Sequence, residues 1–135
     1  MPRSVNKAIL IGNLGKDPEL KEWQPGQFVC KFPIATEEQM KNKQGDKVTK
    51  TEWHNIVAWG KNAEICGKWL KKGKKVYIEG KMQMNIWDDK ETGLKRYSPE
   101  IHMFSMVMLS ADGDFVAVGK EGSSESTDDN PLEVF

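Results

Sequence analysis

The sequence has few of the residues that build disulfides, metal centres and active sites. Its 135 residues include two cysteines, Cys30 and Cys66, and two histidines, His54 and His102. Neither the cysteine spacing nor the histidine positions match a disulfide framework or a zinc motif. The carboxylates are scattered, so no nucleophile, base and orienting group come together in a recognisable pattern. We therefore expect reduced core cysteines, no metal, no cofactor and no enzymatic activity.

Long apolar runs are also absent. The longest run near the start covers only residues 8–11, which is too short for a membrane-spanning helix or the apolar region of a secretory signal. We therefore expect a cytoplasmic protein without a membrane partner. The length suits one domain with a packed core rather than two domains.

The formal net charge is zero, but the charge is unevenly distributed. Residues 1–110 hold 19 Lys and Arg against 13 Asp and Glu, a net charge of +6, whereas residues 111–135 hold one Lys against seven acids, a net charge of −6. The acidic segment is rich in Gly and Ser and mostly lacks periodic apolar residues, which is typical of disorder. The sequence therefore predicts a folded, basic domain over 1–110 and a flexible acidic tail over 111–135.

Most of the predicted domain shows the alternation that is typical of half-buried strands. The predicted strands are 7–12, 28–34, 48–60, 76–87 and 96–109, with a polar hairpin tip at 41–47. Between the third and fourth strands, Asn62 can cap a short helix with Trp69 on its buried stripe, and Gly73 can end it. This order predicts an all-β OB-fold, a partly open five-stranded barrel. A plain antiparallel sheet or another small barrel fits the periodicity almost as well.

Several large aromatic residues stand among polar neighbours. Trp53 and Trp59 share one strand face, and Trp87 ends a run of alternating polar residues that begins at Lys81. Unpaired bases stack on such rings with little sequence preference, while nearby lysines attract phosphates. Alternatively, barrel curvature or a subunit interface buries all three rings.

The chain resembles the bacterial single-stranded DNA-binding proteins from residue 3 to about 109. The motifs that carry this resemblance are, in order, VNK at 5–7, IGNLGKDPE at 11–19, AT at 35–36, TEWH at 51–54, WGK at 59–61, LKKG at 70–73 and VYIEG at 76–80. The resemblance implies a homotetramer of OB-folds that binds and protects single-stranded DNA without sequence preference. It also implies roles in replication, recombination and repair, association with the nucleoid, and no catalysis.

The resemblance also implies roles for individual residues. The base-stacking positions are Trp53, Trp59, Trp87 and Met40, the last standing where the family usually has an aromatic ring. The phosphate-binding positions are Arg3, Lys7, Lys43, Lys61, Lys72 and Lys81, and His54 matches a position at the subunit contact. Asn55, Gln83 and Asn85 are neutral where the family often has basic residues. We therefore expect weaker binding with a shallower salt dependence than is usual in the family.

The C-terminal residues resemble the acidic tip with which the family docks DNA replication and repair enzymes. The expected contact residues are Asp128, Asp129, Pro131, Leu132, Val134 and Phe135. Acidic side chains suit a basic rim, and a terminal Phe suits an apolar pocket. The alternative is a tail that only keeps the protein in solution.

Two other functions fit the sequence. One is a specialised paralogue that acts in replication restart or on a mobile element and binds single-stranded DNA or RNA. The other is a structural oligomer that acts mainly through protein contacts and whose aromatic residues lie buried in its interfaces.

Overall fold

The computed structural model describes residues 3–109 and the backbone of residues 117–118. The strands are β1 (Ala8–Leu14), β2 (Glu19–Gln24), β3 (Gln27–Lys41), β4 (Lys47–Trp59), β5 (Lys75–Asp88), β6 (Lys95–Met108) and β7 (Ala117–Val118), and the helix α1 spans Gly60–Trp69. The five predicted strands correspond to β1, β3, β4, β5 and β6, and the predicted helix lies between the third and fourth of them. The short strands β2 and β7 were not predicted, and β7, which pairs with β6, lies within the predicted tail.

Five strands close into a barrel. Their order is β1, β5, β6, β4 and β3, and β3 returns to β1. All neighbours are antiparallel except β4 and β6, which run parallel where Ile56 pairs with Ile101 and Val57 with His102. This pairing and the β1–β3 pairing are both short, so the barrel is only narrowly closed at these two seams. A five-stranded barrel with this helix position is the OB-fold, which confirms the predicted fold class.

A bend at residues 15–18 divides the first barrel strand into β1 and β2. Strand β3 follows both pieces, pairing Lys31 with Glu19 of β2 and Ile34 with Leu14 of β1. Pro33 lies between these two contacts, and its carbonyl accepts a hydrogen bond from the Gly15 N–H at 3.0 Å. The backbone nitrogen and carbonyl of a strand residue point to the same side, so the nitrogen of Pro33 also points toward the bend and away from β4. The missing N–H of Pro33 therefore removes no hydrogen bond between β3 and β4.

The core fills the barrel interior with aliphatic, methionine and cysteine side chains. Its members include Cys30, Phe32, Ile34, Ile56, Ala58, Val76, Ile78, Ile101, Met103, Met106 and Met108, together with Ala63, Cys66 and Leu70 at and just beyond the helix. Both cysteines are buried and free, as predicted. Burial penalises the thiolate and raises the pKa of Cys30 to about 11, with a smaller contribution from the negative charge of Glu19.

The predicted details of the helix were wrong at three residues. The helix ends at Trp69 with Leu70 at the C-cap, so Gly73, which was predicted to end it, lies in the turn that follows. The helix begins at Gly60, with Trp59 at the N-cap and no side-chain cap, so Asn62 lies inside it. Trp69 is 42% exposed rather than buried. The inward positions of the helical segment are Ala63 and Cys66, followed by Leu70 just after it, and this spacing leaves Trp69 beside the buried stripe.

Two of the predicted strands expose apolar residues in the single chain. Ile9 and Ile11 of β1 are 55% and 49% exposed. The outer half of β5 exposes Met82, Met84 and Ile86 to a similar degree. This half of β5 lies beyond the barrel, paired only with β6 along a ribbon that starts at a register shift between Glu79 and Gly80.

Candidate nucleic-acid interface

Alternate residues of β4 point outward and form the centre of the candidate site. Trp53, Asn55, Val57 and Trp59 share this face, because successive strand residues alternate between the two sides of a sheet. In the register with β3 they stand opposite Ala35, Pro33, Lys31 and Val29 respectively. Residues directly opposite each other have neighbouring side chains, so the face continues from β4 onto β3.

The same face extends across β6 and β5. Val57 pairs with His102, and His102 pairs with Lys81. Farther out on the ribbon, Glu100 pairs with Gln83, Ser98 with Asn85, and Arg96 with Trp87. We call this continuous outer surface of β4, β6 and β5, with the adjoining side chains of β2 and β3, the aromatic face.

The aromatic face contains three of the predicted stacking residues. Trp53, Trp59 and Trp87 are 60%, 46% and 46% exposed, so barrel curvature does not bury them. Met40, the fourth predicted position, is also exposed, but it lies opposite Val48 near the end of the β3–β4 hairpin. The barrel thus places three indole rings, drawn from two strands distant in sequence, on one surface.

Trp53 borders a groove of about 670 Å³. The charged residues that line it are two lysines and three carboxylates: Lys16, Lys31, Asp17, Glu19 and Glu100. The ring of Trp53 packs directly against Gly15, where a Cβ atom would overlap the indole. The missing side chain at Gly15 is therefore what allows the ring to occupy its position.

Hydrogen bonds hold Trp59 in place. Its indole N–H donates to His102 Nδ1 at 3.0 Å, and His102 Nε2 lies 3.2 Å from Glu100 Oε1. Because Nδ1 accepts, a neutral His102 carries its proton on Nε2 and donates it to Glu100. Glu100 Oε2 lies 3.9 Å from the Lys31 ammonium, so one chain of contacts links Trp59, His102, Glu100 and Lys31.

A fourth tryptophan lies on this face, and sequence reasoning missed it. Trp23 of β2 contacts Trp59 edge to face, with ring centroids 6.0 Å apart and planes at 88°. The alternation of Glu19, Lys21 and Trp23 was the available signal, but no strand was predicted between residues 12 and 28. Lys31, Glu100 and His102 were missed because no motif marks them.

The structure separates the predicted phosphate-binding residues into groups. Lys81 lines a groove of about 470 Å³ together with Trp59, and Lys61 is exposed one residue after the start of α1. Lys7 forms an ion pair with Glu79 at 2.9 Å. The remaining three predicted residues, Arg3, Lys43 and Lys72, are exposed and do not line the grooves around the tryptophans.

Two further predicted sites are not part of the aromatic face as the structure describes it: His54 and the C-terminal tip. His54 is half-buried, and its Nε2 lies 2.9 Å from Thr36 Oγ1. The predicted tip residues, 128–135, fall outside the part of the chain that the structure describes. Within the described part, no helix is long and apolar enough to cross a membrane, and no three potential ligands gather around a metal position.

Comparison with known proteins yields consistent matches. Residues 5–109 match the model of the single-strand binding protein family. The single-stranded DNA-binding protein 1 of Chlorobaculum tepidum is 52% identical over 111 residues, which cover 82% of this chain and 68% of that protein. Among solved structures, a complex of Plasmodium falciparum SSB with single-stranded DNA superposes with a TM-score of 0.73 at 29% identity, covering 82% of this chain and 99% of that one.

Proposed function

The chain belongs to the single-strand binding protein family, and from this premise we propose that its aromatic face binds single-stranded DNA. Proteins of this family bind DNA and are not enzymes. The observation that carries the proposal is the gathering of Trp53, Trp59 and Trp87 on one exposed surface. The solved relative with the same fold is itself bound to single-stranded DNA.

The chemistry of this surface favours unpaired bases over duplex DNA. Each exposed indole offers a π-face, and stacking of one base contributes about 1 to 3 kcal/mol with little dependence on its identity. Lys81, which lines a groove with Trp59 and no carboxylate, can neutralise a phosphate of the strand, and Lys16 and Lys31 can do so where they line the groove at Trp53 among three carboxylates. Bases in a duplex are already stacked and cannot present their faces to the protein.

We also propose that the protein acts as a homotetramer. The exposed Ile9 and Ile11 of β1, and the exposed Met82, Met84 and Ile86 of the ribbon, are apolar surfaces of the kind that subunit contacts cover. We assign His54 to such a contact, as the resemblance to the family implies. This assembly would bring several aromatic faces together on one particle.

The proposed division of the chain assigns DNA binding to residues 1–110 and recruitment of partners to the acidic tail, 111–135. The tip residues 128–135 would dock replication, recombination and repair enzymes at the nucleoid, as the resemblance to the family implies. The negative charge of this segment and its terminal Phe135 support the proposal.

Titration of the purified protein with oligothymidylate and with a duplex of equal length tests DNA binding. We expect the single strand alone to quench the tryptophan fluorescence. Trp53→Ala and Trp87→Ala should each weaken oligothymidylate binding by about 1 to 3 kcal/mol, because each removes one stacking partner. A loss of less than twofold at both positions, or equal quenching by the duplex, would contradict the proposal.

A further inference from the structure

We propose that the slot between Trp23 and Trp59 is an additional subsite that holds one unpaired nucleobase of the bound strand. The proposal rests on the proposed function, because the base reaches the slot as part of single-stranded DNA. It assigns a binding role to Trp23, which neither the sequence motifs nor the resemblance to the family indicated.

The position of Trp23 follows from the geometry of β2. Glu19 and Lys21 of this strand stand opposite Lys31 and Val29 of β3, so their side chains lie on the aromatic face. Trp23 continues this alternation at a register shift between Glu22 and Gln24. The bulge ends the regular ladder where the indole reaches Trp59.

The shape of the slot suits a flat ring. Trp23 and Trp59 meet edge to face at 88°, so the two indoles form a corner in which the edge of one ring lies against the face of the other. Trp23 remains 52% exposed and Trp59 46% exposed. The slot they border has a volume of about 400 Å³, within the range of clefts that bind small ligands.

The slot wall carries one carboxylate and one ammonium, so its charge as a whole does not favour a phosphate. Glu100 lies in the slot wall, and its side chain is only 13% exposed, so water screens its negative charge poorly. A phosphate placed beside it would be repelled, whereas the N–H groups of a base edge would be attracted. Gln83 and Asn85 also line the slot, and their amides can donate to or accept from a base edge. Lys31, 55% exposed at the same wall, can bind the phosphate next to the base.

A purely structural role for Trp23, in which it only holds Trp59 in place, does not explain its position. The Trp59 indole is already fixed by its hydrogen bond to His102, and Val29 stands beside it on β3. The contact with Trp23 is edge to face and leaves half of the Trp23 surface open to solvent. An open indole face at right angles to a second one is the arrangement that a stacked base would complete.

Substitutions at Trp23 test the subsite. Binding of fluorescently labelled oligothymidylate is measured by anisotropy, since the substitutions alter intrinsic fluorescence. We expect Trp23→Ala and Trp23→Leu each to weaken binding by at least about fivefold, because Leu keeps apolar packing against Trp59 but has no π-face. Trp23→Phe should stay within about threefold of the wild type. Trp69→Ala is the control, because Trp69 is similarly exposed but lies on α1 and does not line the slot.

Photocrosslinking of the wild-type protein gives an independent test, because it does not depend on the folding of any variant. Oligothymidylate with iodouracil at single positions is bound and irradiated, and the crosslinked peptides are identified by mass spectrometry. We expect one crosslink within the peptide that contains Trp23. Wild-type affinity of Trp23→Leu, or crosslinks at Trp53 without one at Trp23, would overturn the subsite and leave the proposed function intact. Failure of the wild-type protein to bind oligothymidylate would instead overturn the proposed function.

Discussion

At the scale of single residues, the position of Trp53 depends on the residue that its ring packs against. Alternation along β4 was sufficient to predict that Trp53 and Trp59 share a face. It could not show that Trp53 rests on Gly15, because this contact joins residues far apart in sequence. Gly15 has no left-handed backbone angle that would require glycine, so the contact with the indole is its evident constraint.

Substitution of Gly15 by Ala should therefore weaken single-stranded DNA binding through Trp53. The added Cβ would displace the ring from its position in the groove, and we expect a severalfold loss of affinity. A double-mutant cycle measured by oligothymidylate titration checks the cause. In the Trp53→Ala background, Gly15→Ala should have almost no further effect, and an equal loss in both backgrounds would contradict the explanation.

At the scale of elements, the turn of the β5–β6 ribbon positions Trp87. The Asp89 carboxylate accepts hydrogen bonds from the backbone N–H of Glu91 at 2.8 Å and from Arg96 Nε at 2.9 Å. Gly93 has a φ of 73°, which favours glycine, and its N–H donates to the Asp89 carbonyl at 2.8 Å. The sequence predicted the strands on either side of this turn, 76–87 and 96–109, but it did not reveal that Asp89 organises the turn.

Acid should loosen this turn. The hydrogen bond from the Glu91 backbone, followed by that from Arg96, lowers the pKa of Asp89 below its ordinary value of 3.8. The folded state therefore prefers the ionised carboxylate. Its stabilising effect is present above pH 3.8 and is lost as the pH falls from there through the lower folded-state pKa.

The Glu91 amide proton resonance provides the measurement. In the wild type it should shift as Asp89 takes up a proton, with a midpoint below pH 3.8. Asp89→Asn should abolish this shift, whereas the neighbouring control Asp88→Asn should preserve it, because Asp88 does not contact the Glu91 N–H. Persistence of the shift in Asp89→Asn would show that another group controls the turn.

At the scale of the whole molecule, the chain carries opposite charges in its two parts. The net charge of +6 over residues 1–110 and −6 over residues 111–135 means that the tail can compete with DNA for the basic surface. Salt screens such competition, because the Debye length falls to about 10 Å at 0.1 M ionic strength.

Deletion of residues 121–135, which removes five acidic side chains and no basic ones, should tighten binding of oligothymidylate at low salt. The difference should shrink as salt is added, and affinity measured across a salt series checks both effects. A tail of scrambled sequence and equal composition is the control and should restore the weaker binding. Unchanged affinity after deletion at low salt would refute the competition.

The sequence by itself determined where five of the strands lie along the chain and which residues of the central strands share a face, because period-two alternation is a local property of any extended segment. The order of its motifs also indicated the family. It failed where neighbours distant in the chain decide the outcome. Trp69 fell outside the buried stripe of its helix, and Ile9 and Ile11 stayed half-exposed. Only closure of the barrel brought β4 beside β6, and together with the β2–β3 hairpin it placed Trp23, Trp59, His102 and Glu100 around one slot. The local pattern of residues predicts the direction of each side chain. Which side chains contact each other depends on the register between strands that lie far apart in sequence.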